Sequence, residues 1–333
     1  MDDKLSTVEW DLWRGDEIMW DSHLCKYSDH NIYQSSLWAR HKEKTGWLSM
    51  RLVGNQGQNT VTIAQILFRL LPFQGRLVWI PGGPIGMPEK WGSGLFKAIK
   101  DKLNVPWLYV RINNFYNFQE HQTKELLRNH WIRPRKYLSS DQSLLYNLNN
   151  SEEERYRQLG SNWARNYRRS KKFNHNTDIW KNPDPLEICD LYNQMKEYKK
   201  FKNSFNEQEI QSIIKNLSNN LVIIYTRNSK SELISIRGAL IQENKAWDIL
   251  AATNLQGRKE YASYATFWFL TLECQKLGVK VYDLSGVNPT RNKGVYDFKK
   301  GTGATSVRYI GEWEKGGTLF RTLINLGLHF QNG

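Results

Sequence analysis

The chain has 333 residues and a formal net charge of +14, because 47 Lys and Arg residues outnumber 33 Asp and Glu residues. This length favours two domains, and the excess of positive charge indicates a polyanion or an anionic membrane surface as partner. Three scattered cysteines, an acidic start and the lack of a bilayer-length apolar run argue against secretion, disulfides and a membrane span. We therefore expect a cytoplasmic protein that can rest on the inner face of the membrane.

The first half of the sequence predicts a helix followed by strands. Residues 31–47 predict a helix that Ser35 or Ser36 caps and Gly46 ends. Strand-like runs follow at residues 48–53, 60–70 and 76–80, and the turn at 54–57 predicts a hairpin between the first two. A helix at 91–103, a strand at 105–112 and a helix at 119–129 come next, and a Ser- and Asn-rich linker lies at 139–150.

The second half begins with a possible capping box, Ser151 and Glu154, ahead of a basic helix that reaches about residue 173. Helices at 186–199 and 206–217 precede three strands at 221–226, 233–241 and 245–252. A helix at 260–277, a strand at 279–282, a helix or tight turn at 294–300 and a strand at 306–313 complete the order. The tail at 319–330 is amphipathic and predicts a last helix.

The two halves repeat one order of elements, offset by roughly 170 residues, which predicts a duplicated domain. We place the first domain at residues 1–147 and the second at 148–333. Antiparallel strands followed by a strand-helix-strand crossover predict an α+β fold, with a mostly antiparallel mixed sheet flanked by helices in each domain. The GNAT class of acyltransferases has this layout.

Residues 279–303 combine a short strand with a cationic segment. The strand stops at Asp283, Ser285 and Gly286 supply a turn, and Lys299 follows an aromatic residue, Phe298. Such a strand exit, followed by a cationic helix start, suits an anionic ligand. The alternative is an ordinary strand-loop-helix corner with a solvated basic face.

Four sequence patterns resemble the Fem family, the aminoacyl-tRNA-dependent transferases that build peptidoglycan cross-bridges. They are Gln34-Ser35-Ser36-Leu37-Trp38 with Lys42 four residues on, Ile80-Pro81-Gly82-Gly83-Pro84, Tyr282-Asp283-Leu284-Ser285-Gly286, and Gly294-Val295-Tyr296-Asp297-Phe298-Lys299-Lys300-Gly301. The last two are the most specific, because the aspartate-glycine exit and the Phe-Lys pair stand at the family's usual separation. The long coiled-coil arm of some members is absent, so the chain resembles the compact branch.

The resemblance implies an enzyme that needs no cofactor and uses aminoacyl-tRNA as a co-substrate. The acceptor would be the stem-peptide amine of a peptidoglycan precursor, either lipid II or the UDP-MurNAc-peptide. The first domain would bind this precursor, and the second would hold the catalytic and donor side. Both substrates are polyanions, which agrees with the net charge. We expect a monomer.

The resemblance also implies roles for single residues. Lys299 is the candidate cation for the oxyanion that develops on the ester carbonyl, and Phe298 positions it. Asp283 either acts near the reacting amine or caps the amides of its own corner. Lys42 matches the family's first-domain lysine that contacts phosphates, although a solvated helix lysine is the plain alternative. The substrate-binding candidates are Lys42, Trp38, Arg111, Asn113, Lys202, Gly286 and Arg291.

Two positions depart from the family pattern. Asn113 and Asn114 stand where the family often has an aspartate after a strand, so a general base is missing at that point. Lys202 is the nearest cation to the family's phosphate-binding arginine, and a lysine supplies charge without a bidentate fork.

The basic helix of the second half carries the arginines that we assign to tRNA or an anionic surface: Arg165, Arg168 and Arg169. A solvated charged face is the alternative. The histidines and cysteines lack metal-ligand spacing, so we expect no metal site.

Two other classes of function remain open. An acyltransferase of the same fold could use acyl-CoA, although residues 291–296 lack the second small residue of its usual pyrophosphate turn. A non-enzymatic nucleic-acid-binding protein would fit the charge, but no recognition helix or finger motif is visible.

Overall fold

The computed structural model describes residues 8–199, 207–290 and 292–327, which form two compact units. The first unit contains residues 8–141 and 308–327, and the second contains residues 142–307. In both units helices accompany a mostly antiparallel sheet, which confirms the predicted α+β fold class.

The first part of the chain has five strands and five α-helices. They are β1 (Glu9–Leu12), α1 (Glu17–Leu24), α2 (Ser36–Glu43), β2 (Leu48–Gln56), β3 (Asn59–Leu71), β4 (Gly75–Gly82), α3 (Pro88–Trp91), α4 (Leu95–Leu103), β5 (Leu108–Asn117) and α5 (Glu120–Arg128).

The remaining elements follow in the second part of the chain. They are β6 (Gln142–Asn147), α6 (Glu152–Arg157), α7 (Ser161–Ser170), β7 (Asn176–Ile179), α8 (Pro185–Lys199), α9 (Glu207–Leu217), β8 (Leu221–Arg227), β9 (Leu233–Gln242), β10 (Lys245–Thr253), α10 (Leu255–Lys259), α11 (Ala262–Lys276), β11 (Val281–Asp283), α12 (Lys293–Lys300), β12 (Thr305–Gly316) and α13 (Thr318–Gly327).

The sheets of the two units have matching strand orders. The first is β1-β2-β3-β4-β5-β12, and the second is β7-β8-β9-β10-β11-β6. Within the described residues, the parallel pairs are β4 with β5 and β10 with β11, each joined by a helical crossover. This arrangement contains the repeat that the sequence predicts, because the three antiparallel strands β2–β4 and β8–β10 each lead into one crossover. Strands β1 and β7 each add a fourth antiparallel strand.

Each sheet receives its last strand from the other half of the sequence. Strand β12 pairs with β5, and strand β6 pairs with β11. A buried ion pair joins β5 to β12, in which Arg111 Nε donates to Glu312 Oε2 over 2.9 Å. The Tyr109 hydroxyl donates to Glu314 Oε2 over 2.7 Å on the same strand pair.

The boundaries of the units therefore differ from the domains predicted at 1–147 and 148–333. The second unit begins at β6, and the chain returns to the first unit from residue 308 onward. The physical reason is the pairing of β12 with β5, whose residues are separated by about two hundred positions and leave no local pattern in the sequence.

The capping box at Ser151 is confirmed, because its hydroxyl accepts from the Glu154 amide and the Glu154 carboxylate accepts from the Ser151 amide. The prediction of one long basic helix after it is wrong, because this segment forms two helices, α6 and α7. The amide of Gly160 donates to the Gly301 carbonyl over 2.8 Å, so the first helix cannot continue through it. In the described ranges no helix is long and apolar enough to cross a bilayer.

Replacing Glu312 by Gln should destabilise the protein, because Arg111 would remain buried without a counter-charge. Breaking one side of a buried ion pair costs about 3–5 kcal/mol. Urea unfolding followed by circular dichroism measures the change. Asp297→Asn, which breaks the exposed pair with Lys293, is the control and should have a much smaller effect. Equal stabilities for the two variants would contradict the structural role of Glu312.

Candidate active site

The exit of strand β11 is a tight corner held by Asp283. The Asp283 carboxylate accepts hydrogen bonds from the Ser285 amide over 2.8 Å and from the Ser143 hydroxyl. Ser285 adopts a left-handed conformation with φ of 61°, which is uncommon for a residue with a side chain. Of the two roles expected for Asp283, the capping contact is the one seen in the described structure.

Lys299 lies on helix α12 and turns its ammonium into this corner. Its side chain is almost fully buried, and Nζ donates to the carbonyls of Ser285 over 3.2 Å and of Gly286 over 3.3 Å. The predicted residues Lys299, Asp283 and Gly286 therefore meet at one place. Gly286 contributes its backbone carbonyl.

Asp248 on β10 is the anionic centre of the same cluster. Its carboxylate accepts a bidentate pair of hydrogen bonds from Arg237, at 2.9 and 2.6 Å, and a third from the Tyr282 hydroxyl at 2.9 Å. The Lys299 Nζ atom lies 3.9 Å from Asp248 Oδ2. The backbone carbonyl of Asp248 also accepts a hydrogen bond from the Ser285 hydroxyl over 2.6 Å. Asp248 is therefore joined to the β11 exit by two hydrogen bonds, one from Tyr282 and one from Ser285.

A β-bulge accounts for the position of this carboxylate. The register between β9 and β10 shifts between Asp248 and Leu250, so one extra residue lies on β10 at this point. Bulges redirect a side chain from the regular alternation of a strand. Arg237 lies on the neighbouring strand β9 and reaches the carboxylate from there.

The cluster shifts the pKa values of its two cations, Lys299 and Arg237, in opposite directions. Burial lowers the pKa of Lys299, and the nearby Asp248 carboxylate partly opposes this effect. Burial also acts to lower the pKa of Arg237, but the charge and hydrogen bonds of Asp248 and Tyr282 outweigh it and the pKa is raised. Lys299 is therefore the cation of the cluster that can lose its proton more easily.

Phe298 anchors helix α12 in the core of the second unit. Its ring packs against Trp163, Tyr264 and Phe267, with centroids 5.9, 5.1 and 5.8 Å away. The guanidinium of Arg237 lies 5.4 Å from the same ring. These contacts hold Phe298 in the core, on the helix from which Lys299 projects.

Lys42 and Trp38 lie together in the first unit on helix α2, which Ser35 caps at 3.2 Å from the Trp38 amide. The alternative that Lys42 is a solvated lysine is wrong, because its side chain is buried. Its Nζ atom lies 5.1 Å from the centroid of the Trp38 ring and 5.8 Å from that of Trp79. Indole faces attract such a cation.

Arg111 and Asn113 lie within β5, which continues past the predicted end of the strand to Asn117. The Arg111 guanidinium binds Glu312 and the Lys136 carbonyl, so its contacts in this structure are internal. Asn113 is buried, and its Oδ1 atom has no hydrogen-bond partner among the described residues. Lys202 and Arg291 lie outside the described residues.

The three arginines assigned to tRNA or an anionic surface share the exposed side of helix α7: Arg165, Arg168 and Arg169. Arg165 contacts Asn162, and Arg169 donates to the Tyr261 hydroxyl over 3.0 Å. Trp163 and Tyr167 occupy the buried side and pack in the core.

Sequence reasoning missed Asp248, Arg237 and the Tyr282 hydroxyl. The sequence contained a signal, because Arg237 is the single charged residue of β9 and Asp248 is the single acidic residue of β10, and both strands are otherwise largely apolar. A charge in such a run is buried and needs a partner. Among the described residues no group of three His, Cys, Asp or Glu side chains could hold a metal ion.

The two units define the class of the protein as a tandem GNAT-like fold. The chain is similar to the crystal structure of FemX, with a TM-score of 0.79 and a sequence identity of 13%. The match covers 95% of this chain and 100% of the FemX chain. The C-terminal domain of a putative lysylphosphatidylglycerol synthetase from Agrobacterium fabrum is 11% identical, with a TM-score of 0.58 and coverage of 94% and 98%. A tandem GNAT protein from the clavulanic acid biosynthesis pathway is 8% identical, with a TM-score of 0.55 and coverage of 93% and 98%. At these identities the likeness shows the fold alone.

The family follows from the sequence itself. The model of the FemAB family matches residues 144–317, more than half of the chain. The chain therefore belongs to the FemAB family, and the resemblance found in its motifs is confirmed. The comparison with curated proteins gave no match.

Replacing Asp248 by Asn should lower the pKa of Lys299 further, because the carboxylate that raises it is lost while burial and Arg237 still lower it. The measurement is an NMR pH titration of ¹³C-dimethylated lysines, with Lys299→Met to assign the signal. Asp297→Asn removes an exposed acid two residues away and should leave the titration unchanged. A Lys299 titration that is the same with and without the Asp248 carboxylate would show that the two groups do not interact.

Proposed function

We propose that this protein is an aminoacyltransferase that moves an amino acid from aminoacyl-tRNA to the stem-peptide amine of a peptidoglycan precursor. The observation that carries the proposal is the buried Lys299 ammonium, held at the corner made by the two most specific family motifs. Membership of the FemAB family supports a transferase of this kind.

In the proposed reaction the acceptor amine attacks the ester carbonyl of the aminoacyl group. An amide C–N bond forms, the ester C–O bond breaks, and the amine proton ends on the released ribose hydroxyl. The carbonyl oxygen carries negative charge in between, and a fixed cation stabilises this oxyanion. This role is assigned to Lys299, which has three N–H groups and uses two of them on the Ser285 and Gly286 carbonyls.

The surroundings of Lys299 suit such a role. Its ammonium is shielded from solvent, and charge interactions are stronger where water is excluded. Two carbonyls and the Phe298 anchor fix its position before substrate binds, so little reorganisation is needed. The negative charge of Asp248 raises the pKa of Lys299 against the lowering effect of burial, and so favours the charged ammonium.

The distribution of positive charge supports polyanionic substrates. The exposed arginines of helix α7 offer phosphate contacts for tRNA, and the net charge of +14 favours both substrates over a neutral one. Lys42 beside Trp38 is proposed for the phosphates of the precursor. The acyl-CoA alternative is less well supported, because the start of helix α12 has Gly294 but lacks the second small residue of a pyrophosphate turn.

The experiment that tests the proposal is transfer of radiolabelled amino acids from a charged total tRNA pool. Lipid II and the UDP-linked muropeptide are assayed separately as acceptors, with an RNase-treated control. RNase-sensitive label in one acceptor is expected. Acetyl-CoA accepted as donor, with no label transferred from tRNA, would instead establish the acyl-CoA reaction.

Lys299→Met should reduce transfer by about a hundredfold to a thousandfold, the usual loss when one oxyanion donor is removed. Its fold and its affinity for the acceptor should change little, since methionine fills a similar volume. Lys300→Met is the matched control, because Lys300 is the exposed neighbour on the same helix and should keep normal turnover. Unchanged turnover in Lys299→Met would remove this ammonium from the mechanism.

A further inference from the structure

One edge of the first unit exposes large apolar side chains from three separate segments. Leu70 lies at the end of β3 and Phe73 in the turn between β3 and β4, and they are 64% and 84% exposed. The loop before β5 carries Trp107, which is 43% exposed, and the start of α13 carries Leu319, which is 67% exposed. We call these four residues the apolar edge.

Contacts within the first unit bring the three segments together. The Arg76 amide, just after the β3–β4 turn, donates to the Trp107 carbonyl over 3.1 Å. The ring of Trp107 stacks on that of Phe320 with centroids 4.7 Å apart and an angle of 28°, which places α13 beside the same loop. The three segments that carry the apolar edge are therefore neighbours in the first unit.

The turn that presents Phe73 places a bulky side chain at a backbone conformation that favours glycine or asparagine. Phe73 and Gln74 both adopt left-handed conformations, with φ of 56° and 61°. A bulky side chain at positive φ is a conformational outlier. The ring of Phe73 lies in solvent, so the strain is not offset by burial, and an outlier of this kind points to a use outside the fold.

The segments that carry the apolar edge, and helix α4 that leads into the Trp107 loop, are rich in positive charge. Across residues 70–76, 97–107 and 317–322 the sequence contains a single acidic residue, Asp101. The cations of these segments are Arg76, Lys97, Lys100, Lys102 and Arg321, of which the three lysines are exposed on or beside helix α4. Protruding apolar side chains with a cationic rim match a bilayer with anionic headgroups, since the chains enter the acyl region and the cations remain at the surface.

We propose that the apolar edge is a membrane-binding surface that docks the first unit onto an anionic bilayer. Leu70 at the end of β3 and Phe73 in the following turn enter the lipid. Trp107 lies at the headgroup level, where an indole keeps its apolar body and its N–H in suitable surroundings. The inference is independent of the transfer reaction, because it concerns a surface and not a substrate.

The test is co-sedimentation of the full chain with vesicles, either of phosphatidylcholine alone or of equal parts phosphatidylcholine and phosphatidylglycerol. We expect binding to the anionic vesicles that weakens as salt is raised. Leu70→Ser with Phe73→Ser should weaken this binding by about tenfold or more, because burying one such side chain is worth at least that factor. Phe73→Ser alone repeats the test with a smaller change.

Ile18→Ser is the matched control. Ile18 is 81% exposed on helix α1, which packs near Ile63, roughly 23 Å along β3 from Leu70 at the rise of a strand. This variant should bind vesicles like the unchanged protein. The proposal fails if the unchanged protein does not bind anionic vesicles, or if the Ile18 and Phe73 variants lose binding equally. Transfer to the soluble UDP-linked acceptor, measured on the same variants, tests the enzymatic proposal separately.

Discussion

Two carboxylates and two cations are buried together in the second unit, and the corner at the exit of β11 depends on their mutual neutralisation. Asp248 accepts from Arg237 and Tyr282 and lies near the Lys299 ammonium, while Asp283 holds the turn that supplies carbonyls to that ammonium. Each charge would be costly alone in such a place. The four groups come from different elements: Arg237 from strand β9, Asp248 from the bulge of β10, Asp283 from the end of β11 and Lys299 from helix α12.

The two lysines of greatest interest are buried in different ways. The Lys299 ammonium lies near the Asp248 carboxylate and donates hydrogen bonds to two backbone carbonyls, and these bonds orient it. Lys42 lies beside the indole rings of Trp38 and Trp79, and such rings attract a cation. The ammonium of Lys299 is thus held by backbone carbonyls, and that of Lys42 has aromatic neighbours.

Much of this architecture could be predicted because it is encoded locally. The capping box at Ser151, the hairpin of β2 and β3 and the strand exit at Asp283 each depend on neighbouring residues, and the structure contains all three. The contacts of Asp248 could not be predicted, because its partners Arg237 and Tyr282 are 11 and 34 residues away in the sequence. The contact of Lys42 with Trp79 could not be predicted either, because Trp79 lies on strand β4 and the helix pattern around Lys42 gives no information about it.

The placement of β12 in the first sheet also determines when that sheet can be completed. During synthesis the strands β1 to β5 emerge early, but the open edge of β5 waits for a partner about two hundred residues later. An unpaired edge invites association with other chains. The second sheet has no such delay, since β6 precedes every other strand that it joins. The half of the protein that is translated first is therefore the half that finishes folding last, and a ribosome that stops before residue 308 releases a first unit with an exposed edge.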